Sequence, residues 1–291
     1  LMHAPGLLLA SSVLVGTVVA VGSRLNAPLY RVLRPHLVRL APEDRSGAIT
    51  FLATLPWLLA LAVLVLAFLP SFVTIPGLIE DHCLPHDHHP HLCLVHGCWM
   101  PSGPLWGSVA LLALGGAVLW LRLVVRVFRA HQVVLNLMRV SRRQGTLQVL
   151  PTRHPMAFTA GLLRPRMVVS DAVLTSLPSE DLDIVIRHEE GHAHRRDALC
   201  RVLLEALTLG MPKSSRTLLL EDYALACEEV CDRRAVQGSV TPDRVAEVLI
   251  RMQRLGCIQP EGVAGATGSH LAHRVRALLG EPYPPRPRWM K

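Results

Sequence analysis

Lysine is nearly absent. Lys213 and Lys291 are the only two in 291 residues, so the formal net charge of +8 rests almost wholly on arginine. A basic chain invites a nucleic-acid reading. The arginines cluster beside apolar runs, where a membrane protein places them, so direct nucleic-acid binding is not expected. Charge is also missing over long stretches. Ala4–Ser23 holds none, and Ser46–Leu121 holds no Lys or Arg. No Lys or Arg precedes the first apolar run, which argues for a retained helix and against a cleaved signal peptide. No internal repeat is present.

What is there is apolar. Hydrophobic residues make up 51% of the chain, too many for an ordinary soluble protein of about two domains. Three uncharged runs stand out: Ala4–Ser23, Ser46–Ile79 around "FLATLPWLLALAVLVLAFL", and Trp99–Leu121 with "LWGSVALLALGGAVLWL". Each can cross a hydrocarbon core of roughly 30 Å. One such run is often a buried core helix, but three within the first 130 residues favour a membrane region with helices at about 5–23, 50–73 and 104–125. Arg24, Arg31, Arg34, Arg39 and Arg45 follow the first run, and Arg122, Arg126 and Arg129 follow the third. The positive-inside rule then places the N-terminus outside and the 24–45 loop inside. It places the loop at 80–100 outside, and the chain from about residue 131 in the cytoplasm.

The outer loop, "EDHCLPHDHHPHLCLVHGCWM", is dense in soft and borderline ligands: His82, Cys83, His86, His88, His89, His91, Cys93, His96 and Cys98. Composition makes it a candidate extracellular transition-metal site, for copper or zinc before calcium. A disulfide from two of the three cysteines, with the histidines as polar filler, is the plainer reading. On the cytoplasmic side, Cys227 and Cys231 stand one helical turn apart and read as small packed residues.

After the third run, His131–Arg143 reads as an amphipathic segment, and "LQVLPT" and "RPRMVVS" as short strands. Helices are expected over Leu177–His194, with Ser179 as N-cap, over Leu218–Gln237 and over Val245–Leu255. Ala198–Met211 is apolar enough to pack on protein or lie against the bilayer. The Pro-rich tail, 281–291, should carry no regular structure.

Within the first of these helices lies "RHEEGHAHRRD", Arg187–Asp197. His188 and His192 are four apart and share a helix face, the spacing that lets two imidazoles hold one Zn²⁺. Glu189 projects beside the metal and can take a proton from water and pass it to a leaving amine. Gly191 costs about 1 kcal/mol in a helix relative to alanine, tolerable if a strand approaches closely. In a chain of this composition, chance alone yields H-E-x-x-H roughly a few times per hundred chains, so context decides. A catalytic zinc needs a third protein ligand and an open position. Within "ALACEEVCDRRAV", Glu228 and Asp232 share a face, so Glu228 can bind zinc while Asp232 hydrogen-bonds a liganding imidazole. Glu229 could replace Glu228 as ligand; the partner Asp232 favours Glu228. A solvated acidic face balanced by Arg233 and Arg234 is the plain alternative.

The blocks "HEEGHAHRRDAL", "GLLRPRMVVSDAVL" and "ALACEEVCDRRAV", with the late "HRVRALL", resemble those of the BlaR/MecR-type integral-membrane zinc metallopeptidases, over roughly residues 130 to 280. The resemblance implies a multi-pass α-helical membrane protein with a cytoplasmic α+β HExxH metallopeptidase domain at 131–280. It implies His188, His192 and Glu228 as ligands of one catalytic zinc, Glu189 as general base, and Asp232 supporting a ligand. It also makes the strand around Met167–Ser170 the edge on which a substrate peptide pairs. The substrate would be a cytoplasmic protein, such as a repressor of the BlaI/MecI type, or the chain itself. The chain departs from the family's β-lactam sensors in lacking a penicillin-binding domain, so antibiotic sensing does not carry over. An HtpX-like or CAAX-prenyl-protease quality-control enzyme is the runner-up. A non-catalytic metal-sensing or metal-handling membrane protein is the opposing class. His194, Tyr223 and Arg196 are candidates for stabilising the oxyanion.

Overall fold

The structure, a computed structural model, describes residues 4–74, 103–257 and 270–280. The His/Cys loop and the Pro-rich tail lie outside the described residues. The described chain divides into two compact units. One holds the residues up to Val32, those of Thr50–Arg122, and Leu207–Arg216; the other holds Leu33–Ile49, Leu123–Ala206 and the residues from Thr217 on.

The first unit is built on the greater part of three long helices, α1 (Ala4–Leu37), α2 (Pro42–Thr74) and α3 (Gly103–Val140), whose ends at Leu33–Leu37, Pro42–Ile49 and Leu123–Val140 belong to the second. Among the described residues, Leu7–Leu37 and Pro42–Phe72 are long and apolar enough to cross a membrane. These two N-terminal helices point to membrane association, and α2 leaves Leu61, Leu66 and Phe72 exposed, as a lipid-facing helix does. α1 and α2 approach closely at a small residue: a Cβ added to Gly22 would lie 3.2 Å from Pro56 Cβ. Asn26 Nδ2 donates to Leu52 O at 2.6 Å, tying the same pair in an apolar setting.

The helices outrun the apolar runs. The Arg-rich stretch expected as a loop over 24–45 is helical except for the four residues 38–41. The amphipathic segment expected at His131–Arg143 is, as far as Val140, the unbroken end of α3, and its last two residues open the first strand. Arginine and leucine are good helix formers, so a chain leaving an apolar run stays helical while its charges solvate.

The second unit carries a four-stranded sheet in the order β1-β2-β4-β3, with β1 (Arg142–Gln144), β2 (Leu147–Leu150), β3 (Ala157–Ala160) and β4 (Arg166–Ser170). β2 and β4 are parallel; the other pairings are antiparallel. The two-residue period of a strand sends alternate side chains to opposite faces. Ala157 and Val169 pack with Ile184, Val185, Val245 and Val248. Phe158, Ala160 and Val168 pack with Val134, Leu137 and Met138 at the end of α3. Burying each of the larger side chains among these contributes about 1.5–3 kcal/mol. The expectation that the strand around Met167–Ser170 is the edge is overturned. β4 is bonded on both sides, by β2 and β3, so its N–H and C=O groups are taken. The edge beside the helices is β3, which the sequence reading left unassigned.

Helices α4 (Asp171–Ser176), α5 (Ser179–Arg195), α6 (Asp197–Leu207), α7 (Lys213–Ala235), α8 (Pro242–Arg254) and α9 (Leu271–Leu278) complete the unit. Ser179 is not the N-cap of α5. Pro178 occupies that position without a side-chain cap, and Ser170 caps α4 instead. Asp181 in the first turn of α5 is fully buried and pairs with Arg244 and Arg251 of α8, which locks the two helices together. α6, at 11 residues, is too short to span a bilayer.

The close approach expected of a strand at Gly191 is made by a helix. A Cβ there would lie 2.9 Å from Cys231 Sγ and 3.4 Å from Cys231 Cα, both on α7. The missing side chain sets the spacing of α5 and α7. Gly191→Ala should therefore destabilise the protein by about 1–3 kcal/mol through overpacking, outweighing the helix propensity alanine gains. Pairing it with Cys231→Ala should recover part of the loss. Thermal melts of the two variants in detergent check this.

Candidate metal centre

α5 and α7 approach closely at Gly191 and Cys231, and the predicted residues lie on both helices around that approach. His188, Glu189 and His192 are 9%, 4% and 4% exposed on α5, and Glu228 and Asp232 are 2% and 1% exposed on α7. His188 Nε2 and His192 Nε2 stand 3.2 Å apart. Glu228 Oε2 is 3.4 Å from the first and Oε1 is 3.5 Å from the second.

The far side of each imidazole faces a carboxylate. His188 Nδ1 is 3.0 Å from Asp232 Oδ1, and His192 Nδ1 is 2.8 Å from Asp197 Oδ2. A neutral ring that donates from Nδ1 keeps its lone pair on Nε2. With both rings in that tautomer, two imidazole lone pairs and a carboxylate converge, an arrangement that repels unless a cation, a proton or a metal ion, sits among the three. Donors about 2.0–2.1 Å from a tetrahedral zinc lie about 3.3–3.4 Å from one another, so the observed separations fit the ion. These residues can hold a metal.

Charge around the site points the same way. Burial would lower the pKa of His188, but hydrogen bonds with Asp232 and Glu228 and the charge of Asp232 raise it to about 10. The surroundings ask for positive charge at this ring, as a proton or as a metal. Burial would raise the pKa of Glu228. The Arg274 guanidinium and the two imidazoles instead hold it well below the usual carboxylate range. Asp232 is lowered too, against burial, chiefly by Arg274.

Arg274 of α9 is the residue whose role the sequence reading missed. Its Nε and Nη2 donate to Asp232 at 2.7 and 2.6 Å. Its Nη1 is 2.9 Å from Glu228 Oε2, an ion pair without good hydrogen-bond alignment. Asp197 was matched to a motif but given no role. Arg196 adopts the left-handed conformation, φ 53° and ψ 44°, and ends α5 there. The turn folds Asp197 back onto His192. Arg195 Nε holds the other oxygen of Asp197 at 3.1 Å. Thr159, from the edge strand β3, was also missed. Its Oγ1 lies 2.8 Å from both the carbonyl and Oε2 of Glu189, and its one proton serves one at a time.

The alternative ligand Glu229 turns elsewhere and pairs with Arg45 at 2.5 Å, both buried. Of the candidate oxyanion groups, His194 and Arg196 are exposed. Tyr223 is 5% exposed and lines a small recess with His192 and Glu228. Cys227 and Cys231 are buried on α7, and burial pushes the Cys227 thiol up to about 12. They are packed residues, as expected.

The family model described as Peptidase family M48 matches residues 127–229. The matched stretch takes in β1 to β4, α5 with its histidines, and α7 as far as Glu229. It supports a metallopeptidase domain and does not single out the BlaR/MecR type. No curated protein and no solved structure matches the chain.

Arg274→Ala would strand Glu228 and Asp232 as buried carboxylates. The expected cost is about 3–5 kcal/mol of stability, with a loss of metal affinity. Arg274→Lys should retain part of both, since it keeps the charge but not the forked contact. Chemical unfolding and competition with a chromophoric zinc chelator measure the two effects.

Proposed function

We propose that the chain is a membrane-embedded zinc endopeptidase acting on a cytoplasmic protein. The observation that carries this reading is the meeting of His188 Nε2, His192 Nε2 and Glu228 within 3.2–3.5 Å, beside a buried Glu189. Zinc, when bound by these three residues, supplies Lewis acidity to water and to the scissile carbonyl.

The chain's own groups do the rest. Asp197 holds His192 by Nδ1, and Asp232, 3.0 Å from His188 Nδ1 without good hydrogen-bond alignment, attracts the other ring, so that both Nε2 atoms face the site. Thr159 engages Glu189 Oε2, so Oε1 is the oxygen that receives a proton from the attacking water and returns it to the leaving amine. Tyr223, in the recess beside His192 and Glu228, is the group best placed to donate to the developing oxyanion. An extended substrate would add to the free edge of β3. That edge replaces β4 as the docking strand, and its Thr159 faces the general base.

The finer reading is the BlaR/MecR type, supported by the "GLLRPR" and "HRRD" blocks, with a BlaI/MecI-like repressor or the chain itself as substrate. An HtpX-like protease is equally compatible with the M48 match. The arginine distribution supports an N-terminus outside and a cytoplasmic catalytic domain.

Glu189→Gln should lower peptide hydrolysis by about 10²–10⁴-fold while zinc stays bound. His188→Ala or His192→Ala should lose metal and activity together. Proteomics of cytoplasmic cleavage products, wild type against Glu189→Gln, would reveal the substrate. An unchanged cellular phenotype in that variant would support a non-catalytic sensor instead. Full zinc binding by Glu228→Ala, with loss in Glu229→Ala, would overturn the ligand assignment.

A reporter fused after residue 145 should remain cytoplasmic, and one fused after residue 90 should be exported. The reverse pattern would remove the cytoplasmic substrate from the proposal.

A further inference from the structure

A cavity of about 220 Å³ lies beside the free edge of β3, with Thr159 on its wall and with Arg126 and His131 from α3 and Arg201 and Glu205 from α6 around it. Thr159 is the residue that holds Glu189. Arg201 also borders the small recess shared by His192 and Glu228. One side chain thus touches both the space beside the metal residues and the space beside the edge strand.

The polar lining of this cavity is lopsided. Two arginines face one acid, Glu205, so the fixed charges sum to +1 before any contribution from His131. Glu205 is shared. One oxygen pairs with Arg126, and the other is 3.5 Å from Arg201 Nε. That long contact involves Nε and leaves the Nη fork of Arg201 out of the pair. The side chain is about one-third exposed, with relative accessibility of 34%, so the fork is reachable from the cavity. A guanidinium fork fits a carboxylate with two parallel hydrogen bonds, and in a half-buried setting such a bond is stronger than between neutral groups.

From this arrangement we infer that Arg201 is a specificity-determining residue, which selects an acidic substrate side chain next to the scissile bond. The inference rests on the endopeptidase reading and deepens it. A peptide laid along β3 puts its scissile bond at Glu189 and the metal ligands. The side chain that enters the cavity then belongs to a residue adjoining the cut. The carboxylate binds the Nη fork, and Glu205 and Arg126 remain paired at the cavity wall. Polarisation of the scissile carbonyl by Arg201 is the competing role, and it would affect every substrate alike.

The test uses the full-length, zinc-loaded protein in detergent and a proteome-derived peptide library, with cut sites read by mass spectrometry. The wild type should show Asp and Glu enriched at one fixed position beside the cut. Arg201→Lys should keep part of that enrichment, since it keeps the charge but not the fork. Arg201→Glu should shift the acidic-to-basic preference by at least about tenfold, equivalent to about 1.4 kcal/mol. Wild-type cuts without acidic enrichment would overturn the inference. So would an Arg201→Glu protein that slows on all peptides with the same cut-site profile.

If the wild type cuts nothing, the endopeptidase reading has failed, and selectivity is read by binding. Fluorescent peptides bearing Asp or Lys would be titrated against the Glu189→Gln protein with and without Arg201→Glu. Tighter binding of the Asp peptide, lost in the double variant, supports the carboxylate site; equal binding of the two peptides overturns it.

Discussion

Helix α7 buries four carboxylates, and the second unit is arranged around them. Asp222, Glu228, Glu229 and Asp232 are 9%, 2%, 4% and 1% exposed. An unpaired charge at such depth costs several kcal/mol, so each needs a cation. The cations come from distant parts of the sequence. Arg34, at the end of α1, takes Asp222. Arg45, at the start of α2, takes Glu229. Arg274, on α9, takes Glu228 and Asp232 together. The imidazoles of α5 complete the set. No two of these partners are near neighbours in the chain, except within α5, and the helices must converge for the charges to be met.

This pairing bears on the topology argument. Arg34 and Arg45 are two of the five arginines on which the expectation of a cytoplasmic stretch after the first apolar run rests. Their pairing with α7 gives them a reason to be there on either side of a membrane. Arg126 is likewise paired with Glu205, and Arg31 donates to Ser214 Oγ at 2.8 Å, so the positive-inside argument draws its independent weight from Arg24 and Arg39, and from Arg122 and Arg129 after the third run.

The sequence was most readable where chemistry is local. The i,i+4 spacing of His188 and His192, and of Glu228 and Asp232, put each pair on one helix face, because a helix repeats every 3.6 residues. α5 began and ended within two residues of its expected bounds. Long-range pairing was not readable. Nothing in "HRVRALL" says that Arg274, and not Arg276, will face two buried acids 42 and 46 residues upstream. The role of Asp197 depends on one left-handed residue, Arg196, a conformation costing roughly 1–2 kcal/mol outside glycine and not signalled by its identity. The strand β3 is four residues, "AFTA", buried on both faces, so it shows no alternation of polarity. The edge was misassigned because "RPRMVVS" carries the stronger β propensity. That propensity suits a central strand, and the quieter segment took the edge.

The placement of β3 fixes more than the end of the sheet. A strand alternates faces, so Ala157 and Thr159 look toward α5 while Phe158 and Ala160 look toward the end of α3. Only one residue of the strand can reach Glu189 with a hydroxyl, and a one-residue slip of β3 against β4 would replace Thr159 with an apolar side chain. The antiparallel register of Thr159 with Met167 prevents that slip, because Phe158 and Val168 are 1% and 0% exposed and could not be turned outward. The apolar core on the α3 side thus sets the position of the hydroxyl that engages Glu189. The helix that closes that core is the continuation of the third apolar run. Val134, Leu137 and Met138 of that helix thus bear, through Phe158 and Val168, on where Thr159 meets Glu189.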